Sequence, residues 1–201
     1  MEVYQRTFTE DEVLVCMDET SKQHTKATRI PLPTRPGEPE KYDFEYERNG
    51  VSNLFTLFAP LEGWRHVKVT DHHTKVDWAL LIEELVDVHY PDKKIVLVMD
   101  NLNTHKRGSL YAAFEPEKAR RIAERLEIHY TPKHGSWLDM AEIEIGVLSR
   151  QCLNRRIPDQ QTLTYEIDAW EETRNQKNIG VDWRFTTEDA RVKLKSLYPS
   201  V

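Results

Sequence analysis

The apolar positions of this chain follow two periods. Val13 to Met17 and Ile95 to Met99 are short, unbroken apolar runs rich in β-branched residues. Runs of that length and kind read as strands buried on both faces. Residues 50 to 60 read as another strand and Leu61-Glu62-Gly63 as a turn. Trp64 to Thr70 alternates apolar and polar, as an antiparallel strand does. From Lys75 to His89 the spacing becomes helical, with Thr74 as N-cap. Val76, Leu80, Leu81 or Ile82, Leu85 and Val88 are expected on the side facing the sheet. Gly108 to Leu126 also reads as helical, restarting at Glu115-Pro116 because proline suits a first helical turn. Glu127 to Thr131 is a fifth strand. A helix begins near Asp139 and is expected to reach Arg155, where Pro158 stops it; a further helix spans Thr162 to Asn175. A short helix capped by Thr186 or Thr187 is expected near the end.

Two stretches resist a regular reading. Thr20 to Arg29 is polar and is expected to be irregular, and Pro31, Pro33, Pro36 and Pro39 mark an exposed loop. The resulting order is β-β-β-α-β-α-β-α-α. It predicts an α/β domain: a mixed five-stranded sheet, three antiparallel strands and then alternating strands and helices, with helices on both faces. That is the order of the ribonuclease H-like fold, in which the first and fourth strands are neighbours.

Composition narrows the setting. A chain of 201 residues with 39% hydrophobic residues is enough for a single domain, taken as residues 1–201. No apolar run approaches a membrane span, and the first residues lack the pattern of a secretory signal. Two cysteines, Cys16 and Cys152, without metal-ligand spacing suit reduced thiols and a cytoplasmic protein. The net charge of −6 argues against a general nucleic-acid-binding surface, although basic residues gather locally at Arg150, Arg155 and Arg156.

The candidate chemistry lies where the apolar runs stop. Both central runs end in Met-Asp, at Asp18 and Asp100, and a third carboxylate, Glu142, opens the helix that begins near Asp139. An Asp at a strand end also serves as a turn residue, and Asp139-x-x-Glu142 is also a capping box, so each alone has a structural explanation. Together, two strand-end carboxylates and one helix-start carboxylate suit a pair of hard divalent cations. The adjacent His72 and His73 are not read as ligands, because neither has an i+4 His or Cys partner.

Met17-Asp18-Glu19, Met99-Asp100-Asn101 with His105, and Pro132 through Ser136-Trp137-Leu138-Asp139-Met140-Ala141-Glu142 carry a resemblance. In this order, and over nearly the whole chain, the sequence resembles the catalytic domain of a DDE transposase of the mariner-like superfamily, in its bacterial insertion-sequence branch. The resemblance implies that Asp18, Asp100 and Glu142 hold two Mg²⁺ ions, with Mn²⁺ able to substitute. It implies DNA cleavage and strand transfer, with transposon ends and target DNA as partners, a homodimer as an allowed assembly and no membrane. His105, Trp137, Asn101 and Asp139 are then candidates for positioning DNA or supporting the metal ligands. The family usually has Asn where this chain has Asp139. Its members also carry N-terminal helix-turn-helix domains, which are expected to be absent here because the chain opens on the first catalytic strand. Two other readings stay open: a non-enzymatic, transposase-derived module for dimerisation or DNA binding, and a stand-alone ribonuclease H-like nuclease. Glu144, two residues beyond Glu142, is expected to point away from the site, toward solvent or a neighbouring helix.

Overall fold

The computed structural model describes residues 2–29, 35–37, 44–132, 138–181, 183, 186, 188, 189 and 192. A five-stranded sheet has the order β3-β2-β1-β4-β5, with β1 Glu12–Ala27, β2 Tyr46–Ala59, β3 Trp64–Thr70, β4 Lys94–Met99 and β5 Leu126–Tyr130. β1, β2 and β3 are antiparallel, whereas β4 and β5 run parallel to β1. The first and fourth strands are therefore neighbours, as the ribonuclease H-like order requires.

Alternation along the strands splits the core in two. Val13, Val15 and Met17 of β1, with Ile95, Leu97 and Met99 of β4, face α1 (Lys75–Glu84), α2 (Arg107–Ala113) and α3 (Pro116–Glu124). Leu14 and Cys16, with Val96 and Val98, face Met140 and Ala141 of α4 (Met140–Leu148). Farther along that second face, Leu54 and Val67 pack against Leu148, Leu163 and Ile167, bringing in α5 (Gln160–Gln176). Helices thus cover both faces. The β2–β3 turn depends on Gly63: its φ is +67°, and a Cβ there would come within 2.4 Å of the Asn178 backbone.

Three expectations need correction. The first strand does not stop at Asp18. It continues to Ala27, its polar residues pairing with the extended start of β2 as far as Ala27 opposite Tyr46, with an irregularity between Gln23 and Thr25. An antiparallel ribbon can be built from half-buried polar residues without an apolar run, and Thr20 and Thr25 suit it as β-branched residues. The buried face of α1 is also only partly the expected one: Leu81, Ile82 and Leu85 are buried as expected. Val76, Leu80 and Val88 are exposed, while Trp78, Ala79, Leu81 and Ile82 are buried. Apolar residues lie all round this helix, so spacing alone does not choose a side; the structure gives the inner side to Trp78, its largest residue. Finally, the two helices that run on from α1 and α4 change pitch, α1 into a π turn at Leu85–His89 and α4 into another at Ser149–Leu153. Thr74 caps α1 with a reciprocal bond from Asp77, and Thr186 does the same with Asp189. The Pro-rich stretch falls largely outside the described residues.

Candidate active site

Asp18 and Asp100 follow directly on Met17 and Met99, the last pair in the parallel β1–β4 ladder. Each lies two residues beyond a side chain on the α4 face, Cys16 and Val98, so the period of two turns both carboxylates toward that face. α4 crosses there and is anchored by Met140 and Ala141, which places Glu142 in its first turn at the same end of the sheet. The chain therefore brings the three carboxylates to one locality from positions far apart in sequence.

Their charges act on one another. Asp18 is pushed up to about 6, first by burial and then by Asp100, Glu142 and Glu19, against the lowering effect of the Glu19 N–H. That N–H donates to Asp18 Oδ1 at 2.8 Å and fixes the carboxylate. Among the described residues no Lys, Arg or His is paired with Asp18 or Glu142. The oxygens of Asp18, Asp100 and Glu142 do not all lie within 4.8 Å of one another.

Asp100 is held differently. Its Oδ1 is 2.6 Å from Nδ1 of the fully buried His105 and 3.4 Å from the Leu102 N–H. His105 Nε2 lies 3.5 Å from Glu19 Oε2, so one imidazole bridges the middle of β1 and the residue after β4. Burial would lower the His105 pKa, but Asp100 and Glu19 carry it up to about 9, and the ring is an imidazolium at neutral pH. Tyr130 of β5 donates to the His105 carbonyl at 2.9 Å and ties this loop to the sheet.

Asp139 caps α4: the Ala141 N–H donates to its Oδ1 at 2.9 Å. Glu142 makes no return bond to complete a capping box, and its side chain is left exposed. Asp139 Oδ2 is buried without a hydrogen-bond partner. Burial, followed by the charges of Asp18, Asp100 and Glu142, holds this carboxyl well above the usual range despite the Ala141 N–H. Asn101 is exposed in the loop after β4. Trp137 lies outside the described residues.

Glu144 does point toward a neighbouring helix, but its setting was not legible in the sequence. It is buried, with Oε1 2.9 Å from Arg65 Nε of β3 and 2.8 Å from Arg174 Nε of α5.

Comparison with known proteins bears on the family and the fold. Residues 13–164 match the DDE superfamily endonuclease family. The chain belongs to that family. The matched segment contains Asp18, Asp100 and Glu142. No curated protein sequence matches significantly. Among solved structures, the fold resembles the Mos1 transposase paired-end complex with left transposon end, at a TM-score of 0.60 and 12% identity, over 89% of this chain and 54% of that one. It also resembles the Mos1 mariner paired-end complex with Mn, at 0.58 and 11% over 89% and 54%. The Mos1 strand transfer complex matches at 0.58 and 11% over 91% and 59%. At such identities the likeness is one of fold. This chain spans little more than half the length of those transposases.

Proposed function

We propose that this DDE-family domain is the catalytic part of a transposase, cutting and joining DNA strands of a mobile element with divalent cations held by Asp18, Asp100 and Glu142. The observation that carries the reading is the gathering of these carboxylates, from β1, β4 and α4, on one face at one end of the sheet, where burial and then their mutual charge raise Asp18 to about 6. Like charges brought together with no Lys or Arg partner among the described residues are a poor structural device and a good oxygen donor set for Mg²⁺ or Mn²⁺. Two such ions are the reading the donor set favours, and the solved relatives include complexes described with Mn and with Mg.

The bound cations would supply activation of the attacking oxygen and neutralisation of charge on the leaving one. The protein's own groups hold the donors in place. The Glu19 N–H fixes Asp18, the His105 imidazolium fixes Asp100, and the Asp139 cap sets the start of α4 and with it Glu142. Groups that orient ligands in this way govern metal affinity nearly as strongly as the ligands do. The partners on this reading are transposon-end and target DNA, with pairing of two copies at the ends. A cytoplasmic location goes with the two free cysteines.

The test is Mg²⁺-dependent nicking and 3′-end joining on duplexes carrying the inverted repeats that flank the coding region. Alongside it, Mn²⁺ should raise the melting temperature, because it binds the folded site only. Cleavage should vanish, and the Mn²⁺ shift should fall, in the Asp18→Asn, Asp100→Asn double variant. A Mn²⁺ effect of equal size in that variant, or metal-dependent cleavage that survives in it, would overturn the reading. Cleavage without end joining would favour the nuclease, and metal binding without either would favour a non-enzymatic module.

A further inference from the structure

A second group of ligating side chains lies away from the carboxylate site, between the edge strand β3 and the end of α1. His66, Glu84 and His89 each turn one ligand atom into a common space, and these atoms all lie within 4.8 Å of one another. His66 Nε2 is 3.4 Å and His89 Nε2 is 3.8 Å from the same oxygen, Glu84 Oε1. We propose that His66, Glu84 and His89 form a binding site for a transition-metal dication of the Zn²⁺ class, which staples β3 to the helix.

The spacing is the first argument. A tetrahedral Zn²⁺ about 2.05 Å from each ligand keeps its ligands roughly 3.3 Å apart. The two nitrogen–oxygen separations are already near that edge length and too long for good hydrogen bonds. Accordingly, Nε2 of both histidines is buried without a hydrogen-bond partner.

The second argument is the orientation of His66. Its other nitrogen, Nδ1, lies 3.1 Å from Glu171 Oε1, and the remaining Glu171 oxygen accepts the Val67 N–H at 2.8 Å. A carboxylate that takes the Nδ1–H leaves Nε2 of the neutral ring as a bare lone pair. That lone pair then faces a carboxylate oxygen, and the two atoms need a proton or a metal cation between them. Carboxylate–histidine–metal relays have this form. Lys68 pairs with Glu84 through the opposite oxygen, Oε2, and so leaves Oε1 turned toward the imidazoles.

The third argument is the helix. Glu84 and His89 are five residues apart, which in a regular α-helix would set them about 140° from each other. The π turn over Leu85–His89, closed by the Tyr90 N–H on the Leu85 carbonyl at 3.0 Å, widens the coil and brings both to one side. Such turns are uncommon and concentrate at functional sites. Imidazole donors favour Zn²⁺ and its neighbours over Mg²⁺, so this site and the carboxylate site would select different ions.

The test is calorimetric titration of the full chain with ZnCl₂ in excess Mg²⁺, which keeps the carboxylate site from competing. One equivalent should bind to the wild-type chain and to the Asp18→Asn, Asp100→Asn variant. Binding should be lost in His89→Gln, and Glu171→Gln should weaken it ~10–100-fold. Nitrogen NMR of the wild-type imidazoles provides a readout that needs no variant: Zn²⁺ should shift two Nε2 resonances, those of His66 and His89. Absence of stoichiometric binding, absence of those shifts, or binding that follows Asp18 and Asp100 rather than His89 would each overturn the proposal. None of these results bears on DNA cleavage.

Discussion

Two carboxylates on the same turn of α4 live in opposite surroundings. Glu144 is buried between the guanidinium groups of Arg65 and Arg174, at 2.9 and 2.8 Å. Glu142, two residues earlier, is exposed beside Asp18 and Asp100 and has no basic partner among the described residues. The helix turns them about 200° apart, so one helix serves both a compensated charge inside the fold and an uncompensated one at the sheet's end. A carboxylate matched by fixed cations is holding the structure together. A carboxylate set among others of its own sign has no such use and is available to an incoming ion.

The largest effect that would test this contrast is on activity. Glu142→Gln keeps the side chain's shape and removes its charge, and should lower Mg²⁺-dependent cleavage by ~10³-fold or more, the scale of losing an essential charge-stabilising group. Its melting temperature without metal should stay within about 2 °C of the wild type, as for other exposed positions. A variant that cleaves normally would remove Glu142 from the site.

Next in size is the stability of the buried cluster. Glu144→Gln removes the nearest counter-charge from two guanidinium groups, and breaking a buried pair in this way costs about 3–5 kcal/mol. Urea unfolding should show that loss, while cleavage measured well below the melting point should persist. If Glu144→Gln unfolded like the wild type, the buried cluster would not be the fastening it is taken to be here. If it were the variant that lost cleavage while staying folded, the roles of the two glutamates would have to be exchanged.

Much of this contrast was written in the sequence, and part of it was not. Asp18 and Asp100 stand out in the sequence because each ends an apolar run, Glu142 because it opens a helix, and the β-β-β-α-β order makes β1 and β4 neighbours. The pairing of Glu144 was not, since Arg65 and Arg174 come from β3 and α5 and no local pattern links them. The Glu84–His89 pairing was hidden for a related reason: α-helical spacing separates two residues that a π turn reunites. The continuation of β1 to Ala27 is not legible because its mostly polar residues carry no apolar signal.

His105 gives a smaller effect and tests the support of the site rather than its ligands. It is fully buried, with Nδ1 2.6 Å from Asp100 Oδ1 and Nε2 facing Glu19. His105→Gln should raise the Mg²⁺ concentration needed for half-maximal cleavage ~10–100-fold, as for other groups that orient a metal ligand. Saturating Mg²⁺ should recover much of the rate. A loss that no Mg²⁺ concentration recovers would mean that the imidazolium touches the reacting DNA itself.

The smallest effect concerns Asp139, which sits between the two regimes: it is buried like Glu144 yet surrounded by like charge as Glu142 is. Its Oδ1 caps α4, which any Asn can also do, and its Oδ2 is buried without a partner. Burial and the neighbouring Asp18, Asp100 and Glu142 hold its pKa well above that of an ordinary carboxylate. The folded state therefore prefers the protonated form. Below the unfolded-state pKa, about 3.9, both states are protonated and the preference contributes nothing. As pH rises from there toward the folded-state value, ionisation in the unfolded chain pulls the equilibrium away from the fold, and the loss levels off above it. Asp139→Asn removes that loss while keeping the cap. Its stability should match the wild type near pH 4 and exceed it by roughly 1–3 kcal/mol at pH 8, the scale set by an unsatisfied buried group. Urea midpoints of the two proteins across that range give the answer. An Asn variant that matched the wild type near pH 4 and fell behind it as pH rose would show that the Asp139 carboxylate is ionised and usefully paired in the folded chain, and would move it from the site's support into its ligand set.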